Sequence, residues 1–142
     1  MKYPSQKGFT LIEIMIVVVI LSILASLIIP RIMNRPDQAR VVKAQQDMRA
    51  LESALNMYRL DNYHYPTTNQ GLQALVNKPA GQPEPANWQQ AYLDKLPKDP
   101  WGKPYLYLMP GKHGDFDLFT LGADRRKGGE ESDADLGNWE LE

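Results

Sequence analysis

The sequence predicts an α+β protein, with a long N-terminal helix followed by a small head that contains an antiparallel β-hairpin. Two observations predict this architecture. An almost uninterrupted apolar run fills residues 9–29, and a segment with helical periodicity follows it. Nearer the C-terminus, two β-rich segments flank the sequence Pro110-Gly111-Lys112-His113-Gly114, and a short connection of this composition is typical of a hairpin.

The composition excludes several classes of function. The 142 residues suit one domain with a modest core. The formal net charge of -1 lacks the basic excess of a nucleic-acid-binding protein. Because the chain has no cysteine and only two histidines, His64 and His113, we exclude disulfide frameworks, thiolate metal sites, cysteine nucleophiles and multi-histidine metal centres.

The first element is the apolar run from Phe9 to Ile29. At about 1.5 Å per residue, a helix of this length spans about 31 Å, close to the hydrocarbon thickness of a bilayer. A head this small can hardly bury such a helix on every side, so a membrane-inserted helix is favoured over a core helix. A cleaved signal peptide is disfavoured, because the residues after the apolar run contain only a weak cleavage pattern. A plain membrane anchor leaves Glu13 unexplained, because a carboxylate in lipid is costly and usually functional.

A second helical segment follows the apolar run. Pro30 and Pro36 are expected to kink or loosen the junction. Beyond them, apolar residues recur every three or four positions, which predicts an amphipathic helix that ends near Asp61-Asn62. We expect its stripe to pack on the chain's own head rather than in a dimeric coiled coil. The stripe consists of Val41, Ala44, Met48, Leu51, Leu55 and Tyr58.

The head is predicted to contain a short helix, a long loop and the hairpin. The helix is expected from Asn69 to Asn77, with Pro79 as its terminator. Residues 79–104 carry six prolines, which is typical of a loop, and Trp88, Tyr92 and Leu93 indicate that this loop packs on the body. The hairpin strands are Tyr105–Leu108 and Phe116–Leu121. A further short strand or anchor is expected around Trp139 and Leu141.

The C-terminal stretch leaves two interpretations open. From Glu130 to Glu142 there are six acidic residues and no basic one, and by composition alone this favours a solvated acidic tail. Interruption by glycines and closure by Trp139 point instead to a folded loop. Calcium prefers carboxylate and carbonyl oxygens, and three aspartates of this region could supply carboxylates, although their spacing does not match an EF-hand. They are Asp124, Asp133 and Asp135.

The N-terminal residues resemble the processing signal of type IV pilin-like proteins. The resemblance rests on the junction Lys7-Gly8-Phe9-Thr10-Leu11-Ile12-Glu13, which opens the apolar run. It implies that a prepilin peptidase cuts between Gly8 and Phe9 and that the new N-terminal Phe9 is N-methylated. It also implies that Glu13, one helical turn away, pairs during assembly with the Phe9 amine of a neighbouring subunit, which offsets the cost of a carboxylate in an apolar bundle.

Later segments resemble, within that group, the major pseudopilins of type II secretion systems. The matching segments follow one another in the family's order, and the lack of cysteine argues against type IV pilus major subunits, which usually carry a C-terminal disulfide loop. The segments are Leu60-Asp61-Asn62-Tyr63, Tyr65-Pro66-Thr67-Thr68-Asn69-Gln70-Gly71-Leu72, Leu96-Pro97-Lys98-Asp99-Pro100-Trp101-Gly102, Leu121-Gly122-Ala123-Asp124 and Gly137-Asn138-Trp139.

This resemblance implies a type IV pilin-like lollipop fold, in which the long helix packs on a small head with a calcium-binding C-terminal loop. Its parts are a cleaved leader at 1–8, a transmembrane and assembly helix at 9–30, the amphipathic half of the helix at 31–63, and a periplasmic head at 64–142. The implied calcium ligands are three carboxylates and two backbone carbonyls, with Glu131 as a substitute for Asp133. They are Leu121, Asp124, Asp133, Asp135 and Leu136.

The implied function is that of a structural subunit. It polymerises into the periplasmic pseudopilus, which drives export of folded proteins, and its partners are copies of itself, minor pseudopilins, the inner-membrane assembly platform and the prepilin peptidase. An enzyme is disfavoured, because no serine, cysteine or second histidine completes a triad with His113, Asp115 or Asp117. The alternatives are a type IV pilus or competence pseudopilin subunit and a membrane-anchored periplasmic binding domain.

Overall fold

The computed structural model describes residues 8–33 and 35–141. The predicted leader, apart from Gly8, lies outside these residues. The chain divides into two compact units, Met1–Pro36 and Asp37–Glu142. In chain order, the helices and strands are α1 (Leu11–Met33), α2 (Arg35–Asn62), β1 (Leu106–Leu108), β2 (Asp117–Thr120) and β3 (Leu136–Gly137).

Helix α1 is an apolar helix of 23 residues. All of its residues from Leu11 to Ser26 are exposed. Pro30 lies within α1, and Pro36 is the second residue of α2, in the first turn, where a missing N–H is tolerated. Within the described ranges, no helix combines the length and the hydropathy expected of a membrane span.

Helix α2 supplies the main wall of the core of the second unit. The predicted stripe is buried almost throughout: Ala44, Met48, Leu51, Leu55 and Tyr58 are 0% exposed, and only Val41 is half-buried. The stripe therefore packs on the chain's own head, as predicted. The helix ends at Asn62, and the next residue adopts a left-handed conformation while its N–H still donates to the Arg59 carbonyl at 2.7 Å.

The three strands form one antiparallel sheet in the order β1-β2-β3. Pairing of Leu106 with Phe119 and of Leu108 with Asp117 confirms the predicted hairpin. On the other side of β2, Phe119 pairs with Gly137 and Thr120 with Leu136. The predicted C-terminal strand therefore lies slightly earlier than Trp139, which falls in a single 3-10 turn at Asn138–Glu140.

The predicted helix from Asn69 to Asn77 is wrong. Only one 3-10 turn forms, at Leu72–Leu75. Gly71 precedes it with φ at +59°, a left-handed conformation that an α-helix cannot include. Just upstream, the side chains of Thr67 and Gln70 accept each other's backbone N–H at 3.0 and 3.2 Å, as in a capping box, but the left-handed Gly71 follows directly, so the turn does not continue as an α-helix.

The proline-rich loop packs on the core, as predicted. The Trp88 indole N–H donates to the Ala74 carbonyl at 2.9 Å, and the Tyr92 N–H donates to the Leu75 carbonyl at 2.8 Å. Trp88, Tyr92 and Leu93 all lie against the buried cluster formed by α2, the 3-10 turn and the hairpin. The core thus fixes β2, from which the C-terminal loop departs.

Candidate functional site

The predicted processing junction is accessible. Gly8 is exposed, and a Cβ atom built on it would meet no described atom within 4 Å. Phe9 is 79% exposed. Packing within the described part of the chain therefore gives no reason for a glycine at position 8.

Glu13 lies in the first turn of α1 and takes part in a capping box. The Glu13 N–H donates to the Thr10 hydroxyl at 3.3 Å, and the Thr10 N–H donates to Glu13 Oε2 at 3.4 Å. This reciprocal pair satisfies two of the free N–H groups at a helix start, and an acidic group at this end also complements the helix dipole. Among the described residues, Glu13 has no basic partner.

The second candidate site is the loop of residues 121–136, which connects β2 to β3. The pairing of Thr120 with Leu136 holds its two ends side by side. Inside the loop, the Ala123 N–H donates to the Ser132 carbonyl at 2.9 Å. The stretch from Glu130 onward is therefore folded into a closed loop, and the solvated-tail interpretation does not hold for residues 130–141.

Two glycines let the two sides of this loop approach each other closely. Gly122 has φ at +65°, and a Cβ on it would lie 2.8 Å from the carbonyl oxygens of Asp133 and Ala134. Gly129 has φ at +105°, and a Cβ on it would overlap the Asp133 carbonyl oxygen. Backbone carbonyls therefore face into the space that these glycines leave open, and any larger residue would fill it.

The predicted carboxylate ligands occupy different environments in the loop. Asp124 is exposed, and its Oδ1 accepts the Arg126 N–H at 2.9 Å. Asp135 is half-buried; its Oδ2 accepts the Gly128 N–H at 2.9 Å, and its Oδ1 is buried without a hydrogen-bond partner in the described chain. Asp133 is half-buried, whereas Glu131 is exposed. A buried carboxylate oxygen without a partner is costly, which makes Asp135 the notable member of this set.

The chemistry of these donors fits calcium. Within residues 8–33 and 35–141, no three acidic, histidine or cysteine side chains lie close enough to hold one metal ion, so Asp124, Asp133 and Asp135 are not gathered into a cluster. The unpartnered oxygen of Asp135 and the backbone carbonyls around Gly122 and Gly129 are nevertheless hard oxygen donors, which calcium prefers.

The exposed His113 side chain contacts the buried carboxylate of Asp117, a pair that the sequence did not predict. The His113 side chain is 48% exposed, its ring Nδ1 lies 3.1 Å from Asp117 Oδ2, and the ring stacks on Trp139 with centroids 4.0 Å apart. Burial raises the pKa of Asp117. Hydrogen bonds from the backbone N–H groups of Lys112 and His113 and from the His113 ring lower this pKa by a larger amount. The net pKa is below the ordinary value.

The other acidic residue of the hairpin does not join this pair in the described part of the chain. Asp115, the other acidic residue of the hairpin, is exposed and binds Arg59 at 3.1 Å. A separate cleft of about 570 Å³ is lined by five amide side chains among eleven residues, and its lining includes Lys78 but no acidic residue or histidine. It therefore lacks the acid–base pair that a catalytic site of this kind needs.

Comparison with known proteins gives the chain its family. The model of the family "Type II secretion system (T2SS), protein G" matches residues 31–139. The model of the "Prokaryotic N-terminal methylation motif" matches residues 3–29, which include the Gly8–Phe9 junction. Together these matches cover the apolar helix and nearly all of the head.

Relatives match over almost the whole length. Type II secretion system core protein G of Pseudomonas aeruginosa is 60% identical over 141 residues, covering 99% of each chain. The corresponding protein of Vibrio cholerae is 54% identical over 142 residues, covering 99% of this chain and 97% of the relative.

A solved structure confirms the predicted fold. The crystal structure of the major pseudopilin from the type 2 secretion system of enterohaemorrhagic Escherichia coli shares 51% identity and a TM-score of 0.68, over 75% of this chain and 92% of that one. This agreement confirms the type IV pilin-like α+β fold and the resemblance to major pseudopilins. The chain thus belongs to the protein G family of type II secretion systems and is a structural subunit of the pseudopilus.

Proposed function

We propose that this subunit is anchored in the inner membrane with its head in the periplasm and then polymerises through α1 into the pseudopilus, which drives export of folded proteins across the outer membrane. One observation carries the proposal. Every residue from Leu11 to Ser26 is exposed, and almost all of them are apolar. An exposed apolar surface of this extent is expected to be buried, either in lipid or against neighbouring helices.

Lipid is the proposed covering before assembly. The sequence has seventeen residues without a charge between Glu13 and Arg31, a length compatible with a bilayer. The hydroxyls of Ser22 and Ser26 donate to the carbonyls of Val18 and Ile23, both at 2.7 Å. Because these polar groups are satisfied within the helix, their transfer into lipid costs little.

Neighbouring copies of α1 are the proposed covering after assembly. A prepilin peptidase would remove the leader by cutting between Gly8 and Phe9, and the Phe9 amine would then be methylated. The accessibility of both residues supports this step. The Glu13 carboxylate, which has no basic partner among the described residues, would pair with the Phe9 amine of an adjacent subunit. Minor pseudopilins and the inner-membrane assembly platform are the further proposed partners.

Calcium is the proposed ligand of the C-terminal loop. The side chains of Asp124, Asp133 and Asp135 and the backbone carbonyls of Leu121 and Leu136 would hold it, with Glu131 as a substitute for Asp133. When bound, the ion would offset the negative charge of the loop and link its two sides. Two observations support the proposal: Asp135 has a buried oxygen without a hydrogen-bond partner in the described chain, and Gly122 and Gly129 leave room beside the backbone carbonyls of Asp133 and Ala134.

Two measurements on cells that express the chain with a type II secretion machinery test the assembly proposal. Electron microscopy of sheared filaments should show polymers of this subunit, and intact-mass analysis should give a chain that begins at methylated Phe9. A protein that keeps residues 1–8 and stays monomeric in the membrane would contradict the proposal and favour a membrane-anchored periplasmic binding domain.

A further inference from the structure

The side chain of Asn138 connects three parts of the head. Its Oδ1 accepts the Leu118 N–H at 2.9 Å, and its Nδ2 donates to Glu52 Oε1 on α2 at 3.0 Å. A longer contact of 3.4 Å joins Nδ2 to the Phe116 carbonyl. Phe119 pairs with Gly137, and the Asn138 side chain adds a hydrogen bond to β2 at the next residue of the C-terminal segment. The same side chain connects this segment to α2 through Glu52.

The residues on either side of Asn138 close the same contact. Gly137 is buried, and a Cβ on it would overlap the Trp139 indole. The indole stacks on the His113 ring, with 22° between the planes. His113 in turn is fixed to Asp117 by its backbone N–H at 3.0 Å and by its ring at 3.1 Å. We call Gly137-Asn138-Trp139 the C-terminal clasp.

The contacts of the clasp side chains avoid the loop of residues 121–136. Asn138 and Trp139 are held by α2, by β2 and by the hairpin turn, through Glu52, Leu118 and His113. None of these residues belongs to the loop of residues 121–136. The clasp begins directly after Leu136, the last residue of that loop. It therefore fixes the end of the loop through contacts with residues that lie outside the loop.

We infer that the C-terminal clasp closes without calcium and that Asn138 is a positioning residue for the calcium loop. It fixes the register of β3 and thereby places Asp135 and the Leu136 carbonyl opposite the start of the loop at Leu121. This inference rests on the proposed calcium binding. It limits the metal-dependent part of the head to residues 122–135, while residues 136–141 stay folded in either state.

Hydrogen exchange on the full-length protein in detergent tests the first half of the inference. With excess Ca²⁺, peptides from residues 122–135 and 136–141 should both be protected. With a chelator, exchange should accelerate in 122–135 only, because the clasp contacts remain. Equal acceleration in 136–141 would show that calcium, not the clasp, holds the C-terminal segment, and would overturn the inference.

Substitution of Asn138 tests the second half. In Asn138→Ala, the Ca²⁺ concentration that half-protects residues 122–135 should rise roughly tenfold, as is typical when a group that orients metal ligands is lost. Asn138→Asp should behave alike, since a carboxylate cannot donate to Glu52. Adding Glu52→Gln restores a donor, so the double variant should regain most of the affinity. Glu52→Gln alone is the matched control and should resemble the wild type.

The possible failures are distinguishable. If Asn138→Ala lowers the melting temperature equally with Ca²⁺ and with chelator while its Ca²⁺ midpoint is unchanged, Asn138 has only a structural role and the inference is overturned. If wild-type residues 122–135 exchange alike with Ca²⁺ and with chelator, the proposed calcium binding fails, and the positioning role fails with it.

Discussion

The carboxylate of Asp99 accepts a 2.6 Å hydrogen bond from the hydroxyl of Thr120, and both residues are buried. The other oxygen of Asp99 accepts the backbone N–H groups of Trp101 and Lys103 at 3.0 and 2.7 Å. Thr120 is the last residue of β2, directly before the loop of residues 121–136. This contact therefore anchors the start of that loop to the turn at residues 99–103.

Loss of the Asp99 carboxylate should destabilise the head strongly. In residues 37–142, which form a compact unit, we expect Asp99→Ala to lower the unfolding free energy by about 3 kcal/mol, because it leaves buried donors without an acceptor. Thr120→Val should cost about 2 kcal/mol, and Thr120→Ser, which keeps the hydroxyl, less than half as much. Urea unfolding measures these differences; equal losses for the valine and serine variants would contradict the role of the hydrogen bond.

Asp117 should make the stability of the head depend on acid pH. Because its pKa is lower in the folded state than its ordinary value, its contribution is fully present above about pH 4 and is lost as the pH falls through the folded pKa. Asp117→Asn should therefore be less stable than the wild type at pH 7, and the difference should shrink below pH 4. Urea unfolding of residues 37–142 between pH 7 and pH 3 measures it, and a constant difference would contradict the prediction.

The helical stripe and the hairpin could be predicted because both depend on local patterns. The three- and four-residue spacing from Ala44 to Tyr58 determines one buried face whatever the head contains, and the turn at residues 110–114 joins strands that are neighbours in sequence. The helix predicted at Asn69–Asn77 failed because Gly71 adopts a left-handed conformation, which apolar periodicity does not reveal.

The contacts that frame the candidate site are not local. Glu52 and Asn138 are 86 residues apart in the chain, and the stack of His113 on Trp139 joins a turn to the C-terminal segment. No spacing rule predicts such pairs, although Gly137-Asn138-Trp139 carried part of the resemblance. The three aspartates could be singled out from the sequence, but the unpartnered oxygen of Asp135 depends on how the loop folds over it.

Gly8→Val should block processing without disturbing the subunit. A side chain at this exposed position meets nothing in the described chain within 4 Å, so the precursor should fold and insert normally. We expect intact-mass analysis of cells with a prepilin peptidase to show residues 1–8 retained in the variant and absent from the wild type, with few filaments from the variant. A wild-type subunit that still begins at Met1, or a variant cleaved normally, would contradict the prediction.

Glu13 should act in assembly through its charge rather than through its capping contact. Glu13→Gln keeps a side-chain acceptor for the Thr10 N–H, since glutamine also serves in a capping box, but it has no charge and cannot form an ion pair with an ammonium group. Glu13→Leu loses both. If the charge pairs with Phe9 of a neighbour, both variants should insert and yield few filaments by electron microscopy. Normal filament yield from Glu13→Gln, with loss only in Glu13→Leu, would assign the role to capping.

Asp135→Asn should have opposite effects with and without calcium. In a chelator, the substitution removes the charge from a half-buried side chain with an unpartnered oxygen, so residues 37–142 should be equally stable or slightly more stable than the wild type. With Ca²⁺ at a hundredfold excess over the dissociation constant, the wild type should gain about 2.7 kcal/mol, and the variant should gain much less.

The exposed Glu140 provides the matched control. Glu140→Gln removes one charge from the same acidic segment outside the proposed ligands, and it should keep the calcium response. Thermal unfolding in Ca²⁺, in Mg²⁺ and in chelator gives all the comparisons, and Mg²⁺ should stabilise poorly because it demands a smaller octahedral shell. If the wild type melts at the same temperature in all three, the loop closes through its own hydrogen bonds, and the acidic residues serve another purpose than holding calcium.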